Sequence, residues 1–431
     1  MDQQLQRLYR RNQHAVKLGL DETRALLDQL ENPQDSFLAI HVAGTNGKGS
    51  VCAMLASVLQ AAGFRTGLYT SPHLVRFNER VRVNGVAIPD ADLVRQMEVV
   101  EDATQRRCEG GLRDATFFEF TTALAFAHFR DQQVQVAVIE TGMGGRLDAT
   151  NVITPILSVI TPVGLDHMQY LGHTVEAIAG EKAGIIKPGR PVVMAAMDPA
   201  AENVIRQVAR ERGAPLIPAA ESVHVRRIRQ TWAGQRIGVE TSDEALKPVI
   251  LPLLGSHQLA NVATAVAALV AFRDACQVPI TGEVMAKGLS VVRWPARLQV
   301  LEQDPPVVLD GAHNPAAARR LVEALHELAP KQPVALISSF LSDKDAVGVL
   351  RELAGPVKRL WLVPLTNERA MPVEDMKAAA QAAHLQSEVC PSLAEALAAA
   401  RPWAREHQGL VCIAGSLYLA GEALKHFNSE V

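Results

Sequence analysis

The sequence has few aromatic side chains and almost no excess charge of either sign. Aromatic residues make up 4% of its 431 residues, and the formal net charge is −3. A surface that binds nucleic acid needs a strong basic field, and a single-strand binder also needs aromatic rings for stacking. We therefore expect no nucleic-acid partner.

Cysteine pairs and long apolar runs are also missing. The five cysteines are scattered and none forms a C-x-x-C pair, so neither a zinc site nor a disulfide framework is indicated. The N-terminus, MDQQLQRLYRRNQ, lacks the apolar core of a secretory signal. No apolar stretch looks long enough to span a bilayer. We expect a cytoplasmic protein that contacts no membrane, and a monomer because nothing in the sequence indicates an oligomer.

Short apolar runs alternate with longer amphipathic or alanine-rich segments along the whole chain. This alternation is typical of β-α units around a parallel sheet, so the predicted fold class is α/β. The length predicts more than one domain. The predicted strands are Phe37–Val42, Thr66–Thr70, Val134–Ile139, Ile156–Thr161, Val192–Ala195, Pro306–Asp310, Val334–Ser338, Arg359–Val363 and Leu410–Ala414.

A domain boundary is predicted near Leu298–Pro306, where prolines precede a new β-α series. Residues 1–297 would form a domain with a mostly parallel sheet, and residues 298–431 a smaller Rossmann-like α/β domain. Within the first domain, Val223–Val249 alternates apolar and polar residues. That alternation predicts a small antiparallel extension.

Residues 41–50, HVAGTNGKGS, join a predicted strand to a predicted helix, Val51–Ala62. The standard phosphate loop, G-x-x-x-x-G-K-[ST], would need glycine at Val42 and a hydroxyl at Gly49, so this loop is a variant. Free N–H groups at a helix start suit a polyphosphate, glycines let the backbone curl around it, and Lys48 supplies charge. The alternative is a tight turn that merely carries a lysine. If residues 41–50 bind phosphate, the first domain is a P-loop-containing ATPase domain, and this is the prediction that we adopt.

A candidate metal-binding acid follows a later buried-type strand. In QVQVAVIETGMGGRLDATN, Glu140 stands at the carboxyl end of the strand, before Gly142, Gly144 and Gly145. P-loop enzymes place an acid at such a strand end to position a metal ion, and ligand crevices lie at the carboxyl ends of parallel strands. The alternative is that Glu140 caps a helix or faces water.

Two further polar residues lie downstream. His167, in ITPVGLDHMQYLG, follows a strand on the same expected side of the sheet, which makes it a metal candidate although a lone histidine is usually structural. Lys182 lies beside Glu181 on the helical stretch TVEAIAGEKAGIIK. From the sequence alone, that pair favours a solvated helix face.

These motifs together resemble the folylpolyglutamate synthase/dihydrofolate synthase family, a branch of the Mur ligase superfamily. The segments that carry the resemblance are GTNGKGS, TSPHLVRFNERVRVNG, IETGMGGRLDATNVI, GLDHMQYLG, GEKAGIIK, GSHQLANVATA, WPARLQV, DGAHNP, SDKD and GSLYLAGE. They cover nearly the whole chain, and their shared order is much more specific than any one of them.

The resemblance implies an ATP-dependent amide ligase with small-molecule substrates, namely dihydropteroate, folates and L-glutamate. A pteroate or folate carboxylate would attack the γ-phosphate of ATP and become an acyl phosphate, and the amine of glutamate would then displace phosphate. We expect both dihydrofolate synthesis and folate polyglutamylation, since the DAT and FFEF elements resemble the bifunctional type.

The resemblance also assigns roles to residues. Nucleotide contacts would come from Gly44, Thr45, Asn46, Gly47, Lys48, Gly49, Ser50, Asn261, Arg297, Asp310 and His313. Two Mg²⁺ ions would be held by Ser71, Glu140, His167 and Lys182. Catalytic roles would fall to Lys48, Glu140, His167 and Lys182. Substrate contacts would come from Leu18, Gly19, Leu20, Asp21, Thr116, Phe117, Phe118, Glu119, Asp148, Ala149 and Thr150.

Two of these assignments have particular consequences. Lys182 matches the family lysine that is carbamylated, a change that turns an ammonium group into a carboxylate-like metal ligand. Phe117 and Phe118 would cover the pteridine ring, with two core phenylalanines as the alternative.

Three alternative functions stay open at this point. The protein could be a folylpolyglutamate synthase only. A muramoyl-peptide ligase would carry a UDP-binding domain before the phosphate loop, where one or two helices and a strand are expected here. A nucleotide-dependent switch without ligase chemistry would be expected to have a base-specificity motif such as N-K-x-D, which the sequence does not contain.

Overall fold

The structure, a computed structural model, describes residues 2–11 and 19–429. These residues divide into two compact units. The first comprises the chain up to Arg226 together with Gly238–Val249 and Ala260–Val292. The second comprises Arg227–Ile237, Ile250–Leu259 and the chain from Arg293 onward.

An eight-stranded sheet forms the centre of the first unit. Its strands are β1 (Leu38–Ala43), β2 (Thr66–Tyr69), β3 (Val81–Val83), β4 (Val86–Ala87), β5 (Val136–Glu140), β6 (Leu157–Ile160), β7 (Val192–Met194) and β8 (Leu216–Pro218). They lie in the order β4-β3-β2-β5-β1-β6-β7-β8. Only the pairs β2/β3 and β3/β4 are antiparallel. The central strands β5 and β6 are buried throughout, as expected for a parallel sheet covered on both faces.

The register of the central strands decides where a ligand can bind. Val42 of β1 pairs with Glu140 of β5, and Ala43 pairs with Ile160 of β6, all in parallel. The segments that follow these strands therefore leave the sheet at the same edge. In an open parallel sheet this carboxyl edge is the position of the ligand crevice.

Helices fill the connections between these strands. They are α1 (Asp2–Arg10), α2 (Asp21–Asp28), α3 (Lys48–Ala61), α4 (Asp90–Glu109), α5 (Phe117–Asp131), α6 (Met168–Leu171), α7 (Val175–Ala183), α8 (Pro199–Glu211) and α9 (Ala219–Ser222). Helix α3 buries nearly its whole length against the sheet, which explains its run of small and apolar residues.

The alternating segment after α9 forms a sheet of its own. Its strands, β9 (Val223–Thr231), β10 (Gly234–Thr241) and β11 (Val249–Leu251), lie in the order β11-β10-β9. Two helices follow, α10 (His257–Cys276) and α11 (Gly282–Ser290).

Helix α10 corrects one expectation from the sequence. By length and composition it could cross a membrane, so the prediction that no segment is long and apolar enough was wrong. Of its most apolar window, 56% is buried inside the protein. That burial is what a core helix of a globular protein shows.

The second unit contains a six-stranded sheet. Its strands are β12 (Gln299–Gln303), β13 (Pro306–Leu309), β14 (Val334–Ser338), β15 (Val357–Leu362), β16 (Ser387–Val389) and β17 (Leu410–Ala414), in the order β12-β13-β17-β14-β15-β16. Its helices are α12 (Pro315–Leu328), α13 (Ala346–Leu353), α14 (Val373–Ala382), α15 (Leu393–Glu406) and α16 (Leu417–His426). Only the β12/β13 pair is antiparallel. Together the two units confirm the predicted α/β fold class.

Candidate active site

The phosphate loop contains two positions, Gly44 and Gly47, that require glycine. Gly47 caps the N-terminus of α3 with a left-handed backbone, φ +87°. A Cβ atom on Gly44 would overlap the side chain of Thr161, which follows β6. The amides of Thr45 and Asn46 both donate to the carbonyl oxygen of Pro162, at 2.9 and 3.2 Å. The loop is therefore fastened to the end of β6. The first N–H groups of a helix lack acceptors within the helix, so a loop at the N-terminus of α3 is suited to an anion.

Two lysines converge on the backbone of this loop. Lys48 Nζ donates to the carbonyl oxygens of Gly44 and Thr45, at 3.0 and 3.3 Å. Lys182 Nζ, from α7, donates to the same Gly44 oxygen at 2.8 Å. Lys48 also lies 4.0 Å from a carboxylate oxygen of Glu140. The site thus gathers two cations and one anion at the carboxyl edge of the sheet.

Lys182 is deeply buried, with 4% of its surface exposed. Burial, the larger cause, and the positive charge of Lys48 together lower its pKa to about 7, because both disfavour the ammonium form. The expectation of a solvated helix face was therefore wrong for this residue. The sequence could not reveal this, since the close approach of the turn around Gly145 to the end of α7 is a tertiary feature.

Glu140 ends β5 and is buried, with 4% of its surface exposed. Its Oε2 accepts a hydrogen bond from the backbone N–H of Ser71, at 3.2 Å. The two residues that the resemblance assigned to one metal ion are thus in contact, and Glu140 neither caps a helix nor faces bulk water.

A small cavity lies between the loop and α7. It is lined by Gly44, Thr45, Lys48, Thr141, Gly142, Met143, Asp166, His167 and Lys182. His167 is brought to the same cavity as both lysines. Its backbone N–H is held by the Asp166 carboxylate at 2.9 Å, and its side chain is 36% exposed.

Four of these lining residues had no predicted role, namely Thr141, Gly142, Met143 and Asp166. Each follows a strand whose end was recognised, and that position was the available signal. Thr141 is the most informative, because its hydroxyl oxygen is buried and has no hydrogen-bond partner among the described residues. A buried hydroxyl normally has a partner, so this oxygen fits a site that receives a polar ligand.

The donor set fits a cation that is shared with phosphate oxygens. Within the described part of the chain, no three His, Cys, Asp or Glu side chains are grouped to hold a metal ion by themselves. Mg²⁺ commonly takes one or two carboxylates and completes its shell with water and substrate phosphates. Glu140 and Ser71, beside a phosphate loop, match that pattern.

Asp148 and Thr150 lie inside the protein, beneath the cavity. Asp148 Oδ2 accepts the N–H groups of Gly142 and Met143, each at 2.9 Å. Thr150 and Ala149 are buried, and none of the three lines the cavity. Their assignment as substrate contacts stays a prediction.

The segment Thr116–Glu119 forms the start of α5. Thr116 and Glu119 cap the helix reciprocally, and Arg113 holds the Glu119 carboxylate at 2.6 and 2.8 Å. Phe117 packs into the core, 5.8 Å from the ring of Tyr9. Phe118 instead lies against Gly142, where a Cβ would overlap its ring. Only Phe118 of the two phenylalanines is therefore next to the cavity.

The N-terminal candidates are only partly placed. Leu18 falls outside the described residues. Gly19 and Leu20 are half-buried, Leu20 caps α2, and the side chain of Asp21 is fully exposed. None of these three lines the cavity.

Asn261, on α10, lies against the phosphate loop. A Cβ on Gly47 would come within 2.7 Å of its Oδ1, and Asn261 is 5% exposed. The structure therefore places Asn261 beside the phosphate loop, and its contact with the nucleotide stays a prediction.

The remaining nucleotide candidates belong to the second unit, where they form a group of their own. Asp310 accepts the N–H groups of Leu298 and Ala312, both at 2.8 Å, and burial raises its pKa. His313 Nδ1 lies 2.8 Å from the carbonyl oxygen of Gly311. The guanidinium of Arg297 packs against Gly311 as well.

Comparison with protein families supports this geometry. Residues 42–269 match the Mur ligase middle domain, and residues 296–417 match the Mur ligase glutamate ligase domain.

The chain also resembles individual curated proteins and a solved structure. It is 40% identical to a folylpolyglutamate synthase from Lacticaseibacillus casei, over 92% of this chain and 91% of that protein. It is 34% identical to a dihydrofolate synthase/folylpolyglutamate synthase from Bacillus subtilis, over 97% of both chains. A structure of Escherichia coli FolC in complex with DHPP and ADP superposes with a TM-score of 0.88 at 30% identity, covering 99% of this chain and 97% of that one.

Proposed function

Because this chain belongs to the folylpolyglutamate synthase/dihydrofolate synthase family of Mur ligases, we propose that it joins L-glutamate to dihydropteroate and to the γ-carboxyl group of folates, with ATP as the energy source. The observation that carries this is the convergence of Lys48, His167 and Lys182 on one cavity beside Glu140, at the N-terminus of α3. Nucleotide binding alone does not require a buried lysine such as Lys182 beside the phosphate loop, whereas the ligase reaction gives it a role.

The chemistry requires that two anions approach each other. A carboxylate oxygen attacks the γ-phosphorus, and ADP leaves. The glutamate amine then attacks the resulting acyl carbon, and phosphate leaves. Lys48 and the N–H groups of α3 neutralise and orient the phosphates, while His167 and Lys182 line the same cavity. Bound Mg²⁺, held by Ser71 and Glu140 at one site and by His167 and Lys182 at a second, would supply further positive charge to the transferred phosphoryl group.

Carbamylation of Lys182 is part of the proposal. With a pKa of about 7, a substantial fraction of the amine is uncharged near neutral pH and can attack CO₂, releasing one proton. The product carries a negative charge where the ammonium group was positive. It would then attract Lys48 instead of repelling it, and it would offer oxygen atoms to a cation.

The pteroate-binding side of the cavity is assigned to the turn that carries Gly142 and to Phe118 against it. The FolC structure that this chain resembles binds DHPP, which supports a pteroate substrate here. The Bacillus subtilis relative is a dihydrofolate synthase/folylpolyglutamate synthase, which supports the proposal of both activities for this chain. We also keep as proposals the domain limits 1–297 and 298–431, the nucleotide roles of Arg297, Asp310 and His313, a cytoplasmic location and a monomeric state.

The test is phosphate release by the purified protein with MgATP, glutamate and either dihydropteroate or tetrahydrofolate. We expect release only when glutamate and a pterin substrate are both present, with a glutamylated product in each case. A glutamylated product from tetrahydrofolate but none from dihydropteroate would reduce the function to polyglutamylation. Equal release with and without both substrates would mean a nucleotide hydrolase or switch.

A further inference from the structure

A buried chain of hydrogen bonds runs beneath the cavity. It begins at His41 on β1, the strand that leads into the phosphate loop, and His41 is fully buried. His41 Nε2 lies 2.8 Å from Thr150 Oγ1, and Thr150 Oγ1 lies 2.5 Å from Asp148 Oδ1. The other Asp148 oxygen accepts the N–H groups of Gly142 and Met143, which line the cavity. The chain thus links the strand before the loop to the Gly142–Met143 turn, which lines the cavity.

The direction of these hydrogen bonds follows from the groups involved. Three backbone N–H groups, those of Gly142, Met143 and Thr150, donate to Asp148, and they favour its carboxylate form against burial, which raises its pKa. The Thr150 hydroxyl has a single hydrogen and gives it to Asp148. The Thr150 oxygen therefore accepts from His41, whose proton must be on Nε2. Nδ1 of His41 is buried and has no partner among the described residues.

His41 is held neutral in this position. Burial, the larger cause, and the positive charge of Lys187 together lower its pKa to about 3. His41 is therefore uncharged at every pH at which the enzyme would work, and the hydrogen bond to Thr150 places its single ring proton on Nε2. His41 is a fixed donor and takes no part in proton transfer.

The segment that carries Asp148 and Thr150 also holds helix α7, on which Lys182 lies. Asn151 Nδ2 donates to the carbonyl oxygens of Arg146 and Gly184, at 3.0 and 3.2 Å. Gly184 directly follows α7. The segment from Asp148 to Asn151 therefore connects three elements that frame the cavity, namely β1, the turn after β5 and α7.

We propose that His41 is a positioning residue of the active site, which acts through Thr150 and Asp148 to fix the Gly142–Met143 turn relative to the phosphate loop. His41 contacts no reacting atom. It would set the separation at which the substrate carboxylate meets the γ-phosphate, and a misplacement of about 1 Å in such an arrangement can cost about 100-fold in rate. The kinetic consequence rests on the proposed ligase function, whereas the hydrogen-bonded chain does not.

Two substitutions at His41 test the kinetic role. In His41→Phe the ring is kept and the donor is lost, whereas in His41→Gln an amide N–H is offered near the position of Nε2. We expect His41→Phe to lower kcat about tenfold while KM for ATP changes less than about twofold, and His41→Gln to recover most of kcat. His128→Phe is the matched control, since His128 is another buried histidine with an unpartnered Nδ1, on α5 and outside the site. It should leave kcat unchanged.

Thr150→Val should reproduce His41→Phe, and the double variant should be no slower than either single one, because both break the same chain. Equal kcat for wild type and His41→Phe would overturn the proposal. It would also be overturned if His41→Gln had a kcat no higher than that of His41→Phe while the two variants had similar thermal midpoints.

Nitrogen-15 NMR of histidine-labelled wild-type protein tests the geometry without any activity. We expect the His41 ring signals, assigned by their loss in His41→Gln, to show a protonated Nε2 and a bare Nδ1, unchanged from pH 8 to pH 5. A protonated Nδ1, or a titration in that range, would refute the chain of hydrogen bonds. A wild-type protein without ligase activity but with this NMR signature would refute the ligase function alone.

Discussion

Lys48 and Lys182 share one hydrogen-bond acceptor, the carbonyl oxygen of Gly44, at 3.0 and 2.8 Å. One lysine comes from the start of α3 and the other from the last turn of α7. Two amine side chains are thus held within reach of one another, and one of them is buried. A positive charge on both amines is unfavourable, and this lowers the pKa of Lys182. A polyphosphate and a carbamate would each add negative charge that relieves the repulsion.

Loss of the Lys182 amine should nearly abolish ligation. We expect Lys182→Ala to lower kcat by about 100-fold to 1,000-fold, the range seen when one group that stabilises a transition state is removed. If the amine acts as a carbamate, added short-chain carboxylates should restore part of the activity. Steady-state kinetics with and without acetate check this, and undiminished activity of Lys182→Ala would contradict the assigned role.

The lowered pKa of Lys182 also predicts a pH-dependent stability. An unfolded lysine keeps its proton up to about pH 10.4, whereas the folded residue releases it near pH 7. Between these values the unfolded chain binds one more proton, so stability rises with pH, by at most about 1.4 kcal/mol per pH unit. In CO₂-free buffer, the thermal midpoint of wild type should therefore rise from pH 7 to pH 9 relative to Lys182→Met. A constant difference between the two proteins would contradict the burial of an ionisable amine.

Glu140 should matter through its charge. Glu140→Gln keeps an oxygen that can accept from Ser71 but removes the carboxylate beside Lys48. We expect the Mg²⁺ concentration needed for half-maximal activity to rise at least about tenfold, since Mg²⁺ depends on few protein carboxylates. A magnesium titration at fixed ATP measures this. An unchanged midpoint would remove Glu140 from the proposed metal site.

Gly44 should tolerate no side chain. A Cβ there would overlap Thr161, so Gly44→Ala must displace the loop that holds the phosphates. We expect at least about a tenfold loss of affinity for an ATP analogue, measured by calorimetry, because the loop N–H groups would no longer point at one anion. Gly180→Ala is the control. Gly180 lies within α7, and a Cβ atom added there would meet open space. The affinity of Gly180→Ala for the ATP analogue should therefore match that of wild type.

The local signals in the sequence predicted the main strands and the position of the loop. Runs such as 136–139 and 410–414 are apolar throughout, and such runs form the buried parallel strands β5 and β17. The short strands β3, β4, β8 and β16 were missed because two or three residues carry too little pattern to distinguish a strand from a loop. The five-residue strand β12 was also missed.

Residues that act through tertiary contacts were harder to predict. His41 stood in the quoted loop motif without a role, because its partner Thr150 is 109 positions away. Lys182 looked solvent-exposed from its helical neighbours, and only the packing of α7 against the turn at Gly145 buries it. Sequence patterns report the faces of single elements, whereas burial of a charged side chain depends on which elements meet.

The transfer of ¹⁸O from a labelled substrate carboxylate to inorganic phosphate tests the proposed ligase chemistry most directly. If the carboxylate attacks the γ-phosphorus, one labelled oxygen per turnover must leave with phosphate when glutamate attacks the acyl carbon. We predict that the phosphate formed from dihydropteroate, glutamate and MgATP carries one ¹⁸O atom. Glutamylated product accompanied by unlabelled phosphate would contradict activation of the carboxylate as an acyl phosphate.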